Sequence, residues 1–559
     1  MSYCRKISLF LLLSYLFFSP LACKDDIKPV EKNIVRRIAP LSERVSEDLQ
    51  KIVEYTRKNN GKLRDSVSLV YADLSDSIYE NNNYHPIWSK DDHWEPLGDS
   101  LFAFIEGCKN YGLYPADYHY HSLAFIHRIT IADSLGRNNS MLWARADVLL
   151  TDAFFTLVKH IKQGRLNYDS VTLRTDTVLD KKIFTQTLAD AIHSGNIDST
   201  FRMLEPKYKG YDSLRAYIKK FLVKADFKPY TYLAYPYKDS IAFFHLLEKR
   251  LHELNLLPAT MVNLDTLAFR SVLKKYQKTL DFKPTGMLSD ALVDQLNNTD
   301  EEKFKRIAIN LDRYKLLPDT LPVTYAWVNL PGFTLRVMNC DTLVFQSRVI
   351  VGGRQTRTPL LTSEISNFIT YPQWTVPYSI IFKEMLPKIR ENLDYLNEQN
   401  LMVVDKNDSV LDPHTINWNK LNKNHFPYLL KQRQGDDNSL GVIKFNFRNK
   451  YSVYMHDTNV RWMFGKPFRA LSHGCVRVKE WQKLADFLIR TDTVKFKPDS
   501  LRAWINRQEK HVISGFPKLP VYLRYFSCEG KDGNIKFYDD IYEEDRLLRE
   551  KYFADKTVE

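Results

Sequence analysis

The chain has 559 residues, 44% of them hydrophobic, 26% charged and 13% aromatic, with only 19 glycines. That composition excludes a collagen-like or low-complexity chain, and the length calls for three or more domains because a single core rarely grows past about 250 residues. The formal net charge of +13 suits either an anionic polymer partner or a plain solvated basic surface. No stretch is dense enough in Lys and Arg, interleaved with aromatics, to mark a nucleic-acid groove, so no nucleic-acid partner is expected.

At the N-terminus, Arg5 and Lys6 precede the apolar run Ile7 to Phe18, which leads to Ser19-Pro20-Leu21-Ala22-Cys23. A short basic region before so brief an apolar run predicts a secretory signal over 1–23 rather than a membrane span. Its end resembles the lipobox of bacterial lipoproteins, with Pro20 where that pattern has an aliphatic residue. The resemblance implies lipidation at Cys23 and a lipid anchor in a membrane; the alternative is an ordinary cleaved signal. Lys24-Asp25-Asp26 resembles the charged signal that sends some Gram-negative lipoproteins to the cell surface. The expected location is the cell envelope, on the outer membrane facing the periplasm or the exterior. Later segments lack the roughly 18 uninterrupted apolar residues of a span.

Residues 24–239 read as a mainly helical scaffold, with apolar residues at helical spacing in Val45 to Thr56 and Ala146 to Ile161. Residues 240–300 predict a three-helix module: Phe244, Leu247 and Leu251 on one face, Leu267, Val272, Tyr276 and Leu280 on a second. A turn at Pro284-Thr285-Gly286 then precedes a short helix capped by Ser289. From about 322 the period changes. Val323 to Val328, Phe333 to Val337, Leu343 to Val351 and Lys450 to Met455 are short, β-branched and bounded by turns, which predicts strands. A long insertion, about 378–440, reads as helical over Ile380 to Leu396 and then polar and loop-like. Beyond 482 helix and irregular structure are expected, with 496–559 a helical, charged tail exposed from Lys531. The fold class is therefore α+β multidomain.

Beyond Cys4 and Cys23, the cysteines are Cys108, Cys340, Cys475 and Cys528, without any Cys-x-x-Cys; no zinc site and no disulfide framework is signalled. A bond between two of Cys108, Cys340 and Cys528 is left open by an oxidising compartment. The chemistry concentrates in Tyr454-Met-His456-Asp457-Thr458 and Ser472-His473-Gly474-Cys475-Val476-Arg477. A thiol is a poor nucleophile at its free pKa of about 8.5, and a nearby imidazolium or arginine lowers that value. His473 and Arg477 supply cations in sequence, and Gly474 lets backbone approach a substrate. Cys475 with His456 is the minimum set for acyl transfer through a thioester. Read from the residues alone, a buried structural cysteine is the competing account.

The pair His456 and Ser472-His-Gly-Cys475-Val-Arg477 resembles the signature of the L,D-transpeptidase (YkuD-type) catalytic domain. Flanking stretches are similar to the large Gram-negative subgroup with a scaffold domain, a peptidoglycan-binding module and a lid. They include Arg306 to Arg313, Val349 to Gly353 with Thr358-Pro359, Tyr371 to Pro377, and Lys444-Phe445-Asn446-Phe447. In the module, Leu247 to Leu251, Tyr276-Gln277-Lys278 and Gly286-Met287-Leu288 resemble the three-helix peptidoglycan-binding unit. The resemblance implies a mixed β catalytic domain over 305–495 with the lid inserted. It implies Cys475 as nucleophile, His456 as general base held by a backbone carbonyl, and an oxyanion hole around Gly474 and Cys475, with Ser472 and His473 shaping the loop. Arg477 is expected to hold a substrate carboxylate or the loop, and Trp374 and Tyr454 to line the donor cleft. Asp457 is expected to be a surface turn residue.

The implied reaction joins the third residues of two peptidoglycan stem peptides with release of D-alanine and without metal or cofactor. Carbapenems are the expected inhibitors. Hydrolysis as an L,D-carboxypeptidase, attachment of a protein amine, and a non-enzymatic wall-binding scaffold are the alternatives.

Overall fold

The computed structural model describes residues 39–166, 178–491 and 498–558. The signal segment with Cys4 and Cys23 lies outside the described residues. The N-terminal helices assemble around Ser140–Lys162, whose buried residues include Trp143, Phe154 and Phe155. That helix starts where the Asn139 side chain accepts from the Met141 and Leu142 N–H groups, and it ends in Lys159, His160 and Lys162. Both predicted helical stretches are present, the first inside Leu41–Lys58.

The module at 240–300 comprises helices Ser240–Glu253, Thr266–Thr279 and Asp290–Leu296, capped by Asp239, Asp265 and Ser289 respectively. Leu247, Leu251, Phe269, Leu273, Leu292 and Leu296 form its core. Leu267, expected inside, is exposed, because Phe269 and Leu273 carry the buried face of the second helix. Gln277 explains the turn: its Oε1 accepts from Gly286 N–H at 2.7 Å and its Nε2 donates to the Met287 carbonyl at 3.0 Å. Gly286 has φ +71, and a Cβ there would also strike the Arg270 carbonyl.

The C-terminal half is built on a nine-stranded mixed sheet. Its strands are β1 (Thr324–Asn329), β2 (Thr334–Asn339), β3 (Thr342–Gly352), β4 (Leu361–Thr370), β5 (Ile443–Phe447), β6 (Met455–His456), β7 (Ala470–Ser472), β8 (Val476–Val478) and β9 (Val512–Arg524). Their order is β7-β3-β8-β6-β5-β4-β9-β1-β2, and β2 also pairs with β3, so the sheet closes on itself and has few free edges. Alternation along each strand sends one set of side chains inward. Leu335, Val337, Val349, Val351, Phe368, Phe445, Met455 and Val476 fill the interior. Each fully buried side chain of this kind contributes about 1.5–3 kcal/mol.

Several expectations are corrected. The strand expected over Lys450 to Met455 is a turn leading into the two-residue β6. The helix expected after 482 is present in Trp481–Ile489 and Pro498–Asn506, but the chain then returns to the sheet as β9, which sits between β4 and β1 beyond the expected 495 boundary. The tail expected to be exposed from Lys531 folds back. Cys528–Lys531 pairs with Asn534–Phe537, and Asp545, Phe553 and Val558 are buried. Paired charges hold a segment whose composition reads as solvated.

The insertion likewise has its own core rather than a polar loop. Strand Leu429–Gln432 pairs with Trp374–Thr375 on one side and Leu401–Val404 on the other. Ile381, Leu386, Ile389, Leu401, Trp418 and Leu430 pack beneath. Cys108, Cys340, Cys475 and Cys528 are all free thiols, which removes the disulfide left open above.

Candidate active site

Register decides which side chains meet. His456 on β6 lies opposite Lys444 on β5 and opposite Arg477 on β8, while its neighbour Met455 points into the barrel. Lys444, His456 and Arg477 therefore form a row on the outer wall. Tyr454 and Cys475 lie two residues before His456 and Arg477, one pleat further along the same face. The Val476 N–H donates to the Tyr454 carbonyl at 3.0 Å, which locks these two strand starts together. The Tyr454 and His456 rings lie 5.6 Å apart, and Lys444 Nζ sits 4.1 Å from the centre of the Tyr454 ring. The Tyr454 hydroxyl also hydrogen-bonds with the Cys475 thiol and with Trp374.

The electrostatics differ from the expectation of an imidazolium-stabilised thiolate. Burial pushes the Cys475 thiol up, opposed by the Tyr454 backbone and hydroxyl, Lys444 and Arg477. Burial, then Arg477, push His456 down to about 3, with Lys444 adding to the effect. Desolvation outweighs the cations, so the resting pair is thiol and neutral imidazole. The Leu440 and Asp457 backbones favour a protonated His456, yet its buried Nδ1 lacks a hydrogen bond of good geometry. A neutral imidazole is the form that can accept a proton.

The Cys475 loop is held from several directions. Ser472 Oγ donates to the Cys475 carbonyl at 2.6 Å and accepts from the Gly474 N–H at 3.2 Å. That Gly474 N–H is thus engaged within the loop. The Cys475 N–H, which makes no backbone hydrogen bond among the described residues, is the free donor there. Thr358 Oγ1 donates to the Gly474 carbonyl and accepts from the Gly352 N–H, both at 2.8 Å. Tyr542 donates to the Gly352 carbonyl at 2.7 Å. A Cβ on Gly352 would collide with the Thr356 carbonyl, which accounts for glycine in the Val349 to Gly353 stretch.

The insertion reaches this loop. Glu384, in the one π-helical turn among the described residues (Ile381–Met385), meets His473 Nε2 at 2.7 Å. Asp457 is corrected from surface turn to buried residue. It pairs with Arg461 and accepts from the Val442 N–H at 3.3 Å, where the insertion returns to the barrel. Arg477 is half-buried, has no carboxylate partner among the described residues, and leaves its Nε unpartnered. Sequence reasoning assigned no role to Lys444, Thr358, Glu384 or Tyr542. Lys444 carried a signal, a charge alternating with Phe445 and Phe447 along a strand; Glu384 and Tyr542 carried none.

Fold and site together define a closed β-barrel with a thiol, an imidazole and a tyrosine on its outer wall, beside the insertion. The family models agree: residues 323–496 match the L,D-transpeptidase (YkuD) catalytic domain, and residues 73–218 match the Scaffold domain. The chain thus carries a region similar to the L,D-transpeptidase catalytic domain, preceded by one similar to the Scaffold domain. A Haemophilus influenzae protein described as "Putative L,D-transpeptidase" is 34% identical over 252 residues, covering 44% of this chain. The match spans 49%, about half, of that relative. A solved structure described as the Ldtfm-avibactam carbamoyl enzyme aligns over 48% of this chain and 83% of its own. Its identity is 10% and its TM-score 0.17, too low to bear on the fold.

Proposed function

We propose that this protein cross-links peptidoglycan as an L,D-transpeptidase, through a thioester on Cys475. The observation that carries the reading is the outer-wall array of Lys444, His456, Arg477, Tyr454 and Cys475 beneath the lid. His456 takes the thiol proton as Cys475 Sγ attacks the carbonyl carbon of the third stem residue. The carbonyl oxygen becomes an oxyanion facing the Cys475 N–H, with Tyr454 beside it. Collapse breaks the bond to the D-alanine nitrogen, and the proton on His456 passes to that leaving amine.

The side-chain amine of a second stem then attacks the thioester and passes a proton to His456. The new amide forms and the thiolate is reprotonated. Arg477, half-buried and without a carboxylate partner among the described residues, suits a free carboxylate of the stem. Module 240–300 would hold the glycan and Cys23 would anchor the chain.

Incubated with a carbapenem, the full chain should gain the mass of one adduct at Cys475. With disaccharide tetrapeptides it should yield cross-linked dimer and free D-alanine. Cys475→Ala should lose both reactions, and His456→Ala should slow acylation by about 10²–10⁴-fold. An undiminished adduct in Cys475→Ala, or no D-alanine from the intact chain, would overturn the assignment.

A further inference from the structure

A second site lies elsewhere on the barrel wall. Register sets Thr334 opposite Arg348 and Arg336 opposite Gln346 on the outer face of β2 and β3, while Leu335 and Val337 point into the core. The turn Gly465–Pro467 with Arg469 makes a second wall, and the hairpin residues Lys531, Lys536 and Tyr538 make a third. Together they enclose about 320 Å³.

Six cations line this space: Arg336, Arg348, Lys466, Arg469, Lys531 and Lys536. Among the described residues a single carboxylate pairs with the set, Glu529 with Arg336 at 2.9 Å, which leaves five cations uncompensated. The arginines are oriented rather than splayed into water. Arg469 Nη1 donates to the Lys466 carbonyl at 2.7 Å and its Nε to the Val349 carbonyl at 3.2 Å. Arg348 Nη1 donates to the Phe464 carbonyl at 3.2 Å. Arg348 also makes the charge on Arg469 harder to hold, adding to the effect of burial. Arg336 and Arg469 are half-buried while Arg348, Lys466, Lys531 and Lys536 are exposed, so water screens part of their mutual repulsion and a bound anion would relieve the rest.

We propose that this pocket binds a saccharide bearing more than one phosphoryl group. A phosphate monoester carries about −1.5 to −2 charges, so one alone leaves most of the five cations unmatched. The Arg336 fork is held by Glu529 and the Arg469 fork by backbone carbonyls, whereas Arg348 is held through Nη1 and, with Lys466, Lys531 and Lys536, suits phosphoryl oxygens; Thr334, Gln346 and Tyr538 supply neutral partners for sugar hydroxyls. The volume is at the small end of ligand cavities, which fits a headgroup-sized molecule. Such a sugar can be free or displayed by a lipid. Exposed Trp462, stacked under Lys466 at 4.7 Å, and exposed Phe468 border the turn, and amphipathic rings beside cations suit a lipid surface.

The test uses the full chain in two arms, titration with fructose 1,6-bisphosphate at fixed ionic strength and co-sedimentation with vesicles bearing a bisphosphorylated glycolipid. Saturable binding is expected, weakened about tenfold or more in Arg348→Ala/Lys466→Ala at unchanged melting temperature. The pair Lys181→Ala/Lys182→Ala, exposed on the scaffold helix Lys181–Ser194, should bind like the unaltered chain. Sedimentation lost in the pocket variant assigns the lipid-borne source, and soluble binding without sedimentation assigns the free one. Absence of saturable binding in both arms, or an equal loss in the scaffold-helix variant, overturns the site.

Discussion

At His456, burial and the nearby Arg477 and Lys444 press the imidazole down to about 3, while burial raises the Cys475 thiol. A base that stays neutral and a thiol that stays protonated should make acylation nearly independent of pH between those two limits. Carbapenem acylation followed by stopped flow should therefore show no acid limb near the ordinary histidine value of about 6.5. A limb centred there would contradict the neutral-base account. The same depression links to stability. The unfolded chain binds the His456 proton below its ordinary value and the folded chain does not, so this contribution is present above about 6.5 and is lost as pH falls toward 3. The alternation of Lys444 with Phe445 was readable from the sequence. Which cations lie on the sulfur's face depends on register between strands far apart in the chain.

Between the barrel and its lid, the decisive element is β9. It pairs with β4 along one side and β1 along the other, so its removal would open two ladders at the centre of the sheet. A chain ended at residue 495, the boundary that the family resemblance implied, should fail to give a soluble barrel by circular dichroism and gel filtration. A normally folded product would show that β9 is dispensable. The lid rests on its own core, packed by Ile381, Leu386, Ile389 and Leu430, and touches the Cys475 loop through Glu384 and His473. Its two ends meet where the Tyr371 N–H donates to the Val442 carbonyl at 2.8 Å, which makes it excisable. Replacing 380–438 by a short Gly-Ser bridge should leave carbapenem acylation of Cys475 intact. It should shift stem-peptide turnover from cross-link toward hydrolysed product, because an open site admits water to the thioester. An unchanged ratio of the two products would rule out a water-excluding role.

Across the whole molecule, the C-terminal segment ties helix Asp300–Lys315 to the barrel. Asp545 meets Arg313 at 2.6 Å and Arg306 at 3.3 Å, Arg549 meets Glu302 at 2.9 Å, and Lys556 meets Asp117 of the scaffold at 2.8 Å. Although desolvation opposes its charge, Asp545 is held below the usual carboxylate range by Arg313 and Arg306. Asp545→Ala would leave Arg313 buried and unpaired, a loss of about 3–5 kcal/mol measurable by urea denaturation of the full chain. A change within experimental error would show the network to be ornamental. From its residues alone the sequence determined the helical scaffold, the capped three-helix module, the switch to strands near 322, and the pairing of His456 with Cys475 as candidates. Periodicity, caps and short motifs are local properties that each segment carries by itself. Tertiary structure alone decided the closure of the barrel through β9, the buried charged tail, the protonation state of the pair and the cationic pocket. Each of those depends on contacts between distant segments, and on burial, which no local pattern encodes.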